Sequence, residues 1–251
     1  MEYTITSTQN PAVKAIKKLA DAKARKESGL FLVESEKCVE EALKLPGLVK
    51  QLVILETESD KLRKYTDGFG GDIFLANQAV LETIATAKTP QGIIAVCSIE
   101  AMTFLQKDGL VVVLDGISDP GNLGTIIRTS DAAGAAAVYT MDESADVLSP
   151  KVIRASMGSV FHIPTKKATP ADILALKENG YLVLGADLDG ETEFSFREEK
   201  LGLVIGSEAH GISPEMTALV DRKIKIPMIG KAESLNAAVA AGILIYKIVG
   251  Y

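Results

Sequence analysis

From residue 110 onward the sequence alternates short, mostly apolar runs with helical stretches, and this alternation constrains the fold more than any other feature. Runs at 110–114, 137–139, 181–185, 201–205 and 223–226 have strand length and the composition of strands buried on both faces. Stretches at 123–133, 150–160, 170–178, 214–220 and 235–249 read as helices between them. Strand and helix in strict alternation predict an α/β fold, a mostly parallel sheet with helices on both faces. In such sheets ligands bind beyond the carboxyl ends of the strands, so the chemistry is sought in the turns that leave them.

The first third is a smaller α/β pattern. A lysine-rich helix is expected over 10–26, a strand at 31–33, a helix at 36–45, and strands at 49–55, 72–75 and 92–97. Pro11, just after the capping residues at 7–10, suits a helix start, while Gly47 and the glycine cluster at 68–71 punctuate loops. The pattern fades between Ile99 and Gly109. The expected organisation is therefore a small α/β domain at 1–99, a linker at 100–109 and a larger α/β domain at 110–251.

Charged residues at 24% and hydrophobic residues at 47% describe a chain that folds around a sizeable core. The two cysteines, Cys38 and Cys97, lack metal or redox spacing and read as buried thiols. The polar start gives no secretory signal, and the longest apolar stretch, 237–246, is half of the roughly 20 residues a membrane span needs, which points to a cytoplasmic protein. The net charge of −6 by itself opposes a polyanionic partner. Yet residues 1–29 carry six basic side chains, Lys14, Lys17, Lys18, Lys23, Arg25 and Lys26, against three acidic ones. A nucleic acid responds to such a local patch rather than to the total, although a run this short is also what a solvated helix face looks like.

Three strand-end turns carry unusual polar residues. The first, DGISDPGNLG, leads into a helix bearing Arg128 and holds Asn122 near the helix start; it has neither the dinucleotide nor the phosphate-loop glycine pattern, and taken alone is a cap with a surface ion pair. The second, GSEAHG, sets Glu208 between glycines, where it could bind a ribose hydroxyl, orient an arginine or cap the next helix; His210 beside it reads as an ordinary loop residue. The third, IPMIGKAESLN, runs from the last strand into an apolar C-terminal helix and places Ser234 and Asn236 at its start. No cluster of His, Cys, Asp or Glu has metal-ligand spacing.

Together these turns resemble, in order and content, the three motifs of the SpoU (TrmH) family of RNA ribose methyltransferases in the SPOUT superfamily. The resemblance rests on Asn122 and Arg128 in PGNLGTIIRTSDAAG, Glu208 in LVIGSEAHGISPEM, and Ser234 and Asn236 in IPMIGKAESLNAAVAAGILIY. It covers about residues 110–251, including SPKVIRASMGSVFHIP, and the opening TSTQNPAVKAIKKL with FLVESEKCVEEAL resembles the family's small ribosomal-protein-like substrate-binding domain. It implies a C-terminal trefoil knot, a homodimer with the site near the subunit interface, and no metal. S-adenosylmethionine would contact Gly206, Ile226 and Leu235. The implied reaction is methyl transfer to a ribose 2′-hydroxyl, of ribosomal RNA first and transfer RNA as the alternative. Asn122, Arg128, Glu208, Ser234 and Asn236 would form the catalytic set, with Arg128 acting on the hydroxyl and Glu208 fixing Arg128 or a ligand hydroxyl. A non-catalytic RNA-binding module on the same fold is the competing reading; uptake of S-adenosylmethionine separates the two.

Overall fold

The computed structural model describes residues 1–104, 107–192 and 199–250. The chain forms two units, one of Met1–Thr103 with Leu148–Phe161, the other of Phe104–Val147 with His162–Tyr251.

The first unit is built on a five-stranded sheet of β1 (Glu2–Ile5), β2 (Leu30–Glu34), β3 (Val49–Leu55), β4 (Asp72–Ala76) and β5 (Ile93–Ser98), in the order β1-β4-β3-β5-β2. β1, β4 and β3 run parallel, while β5 is antiparallel to both β3 and β2. On one face α1 (Pro11–Lys18) and α5 (Gln78–Ile84) bury Val13, Ile16, Val80, Leu81 and Ile84 against Leu32, Val53 and Ile94. α2 (Ala22–Ser28) follows α1, and α3 (Glu36–Leu43) and α4 (Ser59–Thr66) complete the helical cover.

The lysine-rich helix expected over 10–26 is two helices. The Asp21 side chain accepts the Lys23 and Ala24 amides and starts α2 afresh. Arg25 is buried and donates to the Leu19 and Ala20 carbonyls, closing the end of α1. It therefore serves the fold and leaves Lys14, Lys17, Lys18, Lys23 and Lys26 as the exposed basic set.

Among the described residues the second unit holds six strands, β6 (Leu110–Asp115), β7 (Ala137–Thr140), β8 (Thr165–Lys167), β9 (Leu182–Glu191), β10 (Leu201–Gly206) and β11 (Arg222–Ile224), in the order β11-β9-β10-β6-β7-β8. Every pairing is parallel. The chain leaves β6 through α6 (Pro120–Ala132) to β7 and β8 on one side, then returns to lay β9, β10 and β11 on the other. The order thus reverses between β6 and β10, which makes their adjoining carboxyl ends the natural crevice. α8 (Pro170–Glu178) and α9 (Pro214–Thr217) cover one face with Ile173 and Met216 against Val111, Val113, Val183 and Val204. α6 packs against α10 (Ala237–Ile248).

The expected helix over 150–160 ends early: α7 is Pro150–Ala155, followed by a single 3-10 turn at Ser159–Phe161. Met157 and Gly158 adopt left-handed φ of 52° and 94°, which an α-helix cannot contain. This segment packs with the first unit. Arg154 donates to buried Glu34 and to the Thr86 hydroxyl, and Glu34 also accepts the Thr86 and Ala87 amides. Phe161 stacks on Phe31. Gly158 lies so near Glu41 that a Cβ would sit 2.8 Å from its Cγ.

Replacing Arg154 with Ala leaves the Glu34 carboxylate buried without its counter-charge. Because Arg154 is itself partly solvated, a loss of about 2 to 3 kcal/mol is expected in urea unfolding, below the roughly 3 to 5 kcal/mol of a fully buried pair. A change under about 0.5 kcal/mol would show that the pair contributes nothing.

Candidate active site

The three turns singled out in the sequence meet at the carboxyl ends of β6 and β10. Asp119 caps α6, its side chain accepting the Asn122 amide at 2.8 Å, so Asn122 lies inside the first turn with its side chain free to reach across. Glu208 stands on the turn after β10, which the Ser207 and Gly211 main chains close with reciprocal hydrogen bonds of 3.0 and 2.9 Å. Only glycine fits at 206, since a Cβ there would lie 2.1 Å from the Gly211 carbonyl carbon. Asn236 caps α10, its Oδ1 accepting the Ala238 and Val239 amides at 3.0 and 3.3 Å.

These three side chains are joined directly. Glu208 Oε1 accepts from Asn122 Nδ2 at 3.0 Å, from Asn236 Nδ2 at 2.7 Å and from the Ala237 amide at 3.1 Å. Asn236 Nδ2 donates also to Asn122 Oδ1 at 3.0 Å, completing a triangle. A carboxylate at the amino end of α10 is favoured by the unpaired amides and dipole of that helix. A contact between Glu208 and Arg128, one of the two roles expected of Glu208, is absent among the described residues; its Oε1 is taken instead by the two asparagines and the helix. Arg128 lies six residues beyond Asn122, about 9 Å along α6, exposed and without an ion pair among the described residues.

Two sets of cavities flank the triangle. The front one, about 760 Å3, is bordered by Asn122 and Glu208 and by Asp115, Asp142, Glu143 and His210. Behind, a cavity of about 560 Å3 reaches Gly206, Ser234 and Leu235, and a smaller one of about 130 Å3 continues to Ile226, Met228 and Leu244. Ala186, Asp187, Leu188, Ser234, Leu235 and Ala240 border both rear cavities. Gly206, Ile226 and Leu235 therefore share one region. Ser234 lies on its wall, apart from the Asn122–Glu208–Asn236 triangle.

The sequence reading ended this strand at Gly185 and missed the stretch that follows. β9 continues to Glu191 and brings Asp187 and Leu188 to the rear cavities. The Asp187 carboxyl is held below its usual range first by the Asp189 amide and then by Lys223, whose ammonium lies 2.7 Å away. The Asp-Leu-Asp-Gly string directly after an apolar run was the available signal. The rear cavities suit S-adenosylmethionine: Leu188, Ile226, Met228, Leu235 and Leu244 give them apolar walls, Asp187 and Ser234 add polar groups, and the larger volume falls in the range of small-ligand sites. Among the described residues no group of three or more His, Cys, Asp or Glu is placed to hold a metal ion.

Residues 109–246, more than half of the chain, match the SpoU rRNA Methylase family. The chain belongs to the SpoU rRNA methylase family. Residues 10–95 match the MRM3-like substrate binding domain. Over 252 aligned residues the chain is 37% identical to a Bacillus subtilis protein, the 23S rRNA (guanosine(2553)-2′-O)-methyltransferase RlmP, covering 98% of this chain and 99% of that one. An AdoMet-bound rRNA methyltransferase from Sinorhizobium meliloti superposes with a TM-score of 0.86 at 33% identity, over 98% of this chain and 97% of that one. The SpoU methyltransferase AviRb from Streptomyces viridochromogenes, in complex with AdoMet, gives 0.86 at 28% identity over 96% and 97%. As a SpoU methylase the chain is an S-adenosylmethionine-dependent RNA methyltransferase acting on a ribose 2′-hydroxyl.

In this SpoU site Glu208→Gln and Glu208→Ala should part company. The amide keeps an oxygen for the three donors, so its melting temperature is expected to stay within about 2 °C of the parent. Alanine frees all three donors at a partly solvated place, a loss of about 1 to 2 kcal/mol by thermal or urea unfolding. Equal stability of the two variants would contradict the triangle.

Proposed function

We propose that this methylase acts on ribosomal RNA, with Asn122, Arg128, Glu208, Ser234 and Asn236 as its catalytic set and Gly206, Ile226 and Leu235 against the cofactor. The observation that carries the assignment is the single carboxylate oxygen of Glu208, which ties the first and third motifs to the second between the front and rear cavities. Support for the substrate comes from the full-length likeness to a 23S rRNA methyltransferase and from the exposed lysines of α1 and α2, placed in the part that matches a substrate-binding domain. Among the described residues no helix is long and apolar enough to cross a membrane, and the cytoplasm is the proposed location.

S-adenosylmethionine, when bound, supplies an electrophilic methyl group on a sulfonium. The chain has to orient the ribose and help the 2′-hydroxyl lose its proton in an in-line displacement. A guanidinium stays protonated and makes a poor base. Arg128 instead grips the phosphate beside the target sugar and stabilises the forming oxyanion, while a phosphate oxygen or a water takes the proton. Asn122 orients the substrate side, and Ser234 shapes the cofactor wall.

Arg128 stands apart from the triangle within one chain, and a homodimer with the site near its interface resolves this. On α10, which packs against α6, Val239, Ile243 and Tyr246 are 51%, 43% and 38% exposed and share one helical face. The knotted C-terminal path remains part of the same proposal.

Two measurements test it. Arg128→Ala should lower methyl transfer to ribosomal RNA by at least about 100-fold, as loss of a charge-stabilising group does, with S-adenosylmethionine affinity by calorimetry within about threefold. Undiminished turnover removes Arg128 from the reaction, and a 2′-O-methyl map in which deletion of the gene erases a transfer RNA site instead rejects the ribosomal target. Ile243→Glu, which puts a charge on the apolar stripe, should give monomers in sedimentation and a matching loss of turnover; a parent protein that is monomeric and active would end the dimer proposal.

A further inference from the structure

We propose that Asp115 is a positioning residue for methyl transfer: from the end of β6 it sets where the Glu208 turn stands. The inference rests on the assignment of the Glu208 triangle to the reaction site. Asp115 is the last residue of β6, buried, and in register beside Gly206, where the chain leaves β10. The excursion that begins there carries Glu208 and comes back at Ser213. Asp115 Oδ2 accepts the Ser213 amide at 2.7 Å, so the returning end of the turn is bound to the strand next to its starting end. Ser207 and Gly211 close the turn on itself, but that pairing fixes its shape and not its place relative to β6.

The base to which the turn is fastened is itself held. The Ser144 hydroxyl donates to the Leu114 carbonyl at 3.0 Å and accepts the Ile117 amide at 3.2 Å, clamping the chain on both sides of Asp115. Asn122, seven residues further along the same connection, then faces Glu208 from a fixed origin. The tip of the turn, Glu208 to Gly211, is exposed and has no apolar anchor of its own. Its position therefore depends on polar fastening, through Glu208 Oε1 to Asn122, Asn236 and the Ala237 amide at the tip and through Asp115 at the returning end, and a charge-assisted hydrogen bond is shorter and stronger than a neutral one. Displacement of a site group by about 1 Å can cost about 100-fold in rate, so the effect on turnover should exceed the effect on stability.

The test uses the full-length protein, tritiated S-adenosylmethionine and unmodified transcripts of ribosomal RNA. Asp115→Ala is expected to lower kcat about 100-fold while the KM for S-adenosylmethionine moves less than about threefold, and Asp115→Asn, whose amide oxygen still accepts the Ser213 amide, should recover kcat to within about fivefold of the parent. Should Asp115→Ala fail to fold, Ser213→Pro reads the same bond from the donor side, since Ser213 already has the φ of −60° that proline imposes; it too should lose kcat. Full kcat in either Asp115→Ala or Ser213→Pro overturns the proposal. So does an Asp115→Asn as inactive as Asp115→Ala, or a loss in Ser213→Ala, which keeps the amide, as large as in Ser213→Pro. A parent protein that methylates no RNA would condemn the functional assignment; an active parent with an indifferent Asp115→Ala condemns this inference alone.

Discussion

One carboxylate oxygen organises the site. Glu208 Oε1 takes donors from the first turn of α6, from the cap of α10 and from the first amide of α10, so stretches more than a hundred residues apart in the chain are held by one atom. Asn236 serves twice, its oxygen closing the amino end of α10 and its nitrogen joining Glu208 to Asn122. The start of the C-terminal helix and the shape of the site are therefore one structural fact. A change that loosens the cap also moves the wall between the front and rear cavities.

That wall exists because of strand order. A parallel sheet whose connections all ran one way would spread its carboxyl-end turns along a line; here the reversal sets the turns after β6 and β10 side by side. The chain also leaves this unit between β7 and β8, contributes Leu148–Phe161 to the first unit, and returns. The departure begins just after the turn carrying Met141, Asp142 and Glu143, which borders the front cavity. Glu143 there holds a left-handed φ of 66°, unusual for a side chain of its size.

The sheet was legible because buried parallel strands are written as nearly unbroken apolar runs: 110–114 and 201–205 each fall one residue short of the observed strand. β1 and β8 escaped notice, being short edge strands whose residues are largely exposed and leave no apolar signature. The helix boundary errors have local causes, Asp21 starting a second helix and the left-handed pair at 157 and 158 ending α7. At the site, motif content led to Asn122, Glu208 and Asn236, but spacing could not reveal which polar groups bond. Glu208 alone fitted a cap, a ribose ligand or a partner for arginine. Arg25 shows the reverse limit: a basic residue in a basic run looks like part of a nucleic-acid surface until its burial against two carbonyls shows otherwise.

Charge is unevenly distributed along the chain. Asp115, Asp119, Asp142, Glu143, Glu208 and Glu215 border the front cavity, with neither lysine nor arginine lining it among the described residues. Such a surface repels phosphate, and Lys167, next to Ala168 on the cavity border, is paired with Asp142 at 2.9 Å. An acidic lining of this kind suits an uncharged sugar or base better than a phosphate. Arg128 and the exposed lysines of α1 and α2 are unburied, and their attraction for phosphate is of the kind that weakens as salt rises. A chain of net charge −6 can act on a polyanion because a phosphate responds to the basic side chains nearest it and not to the total.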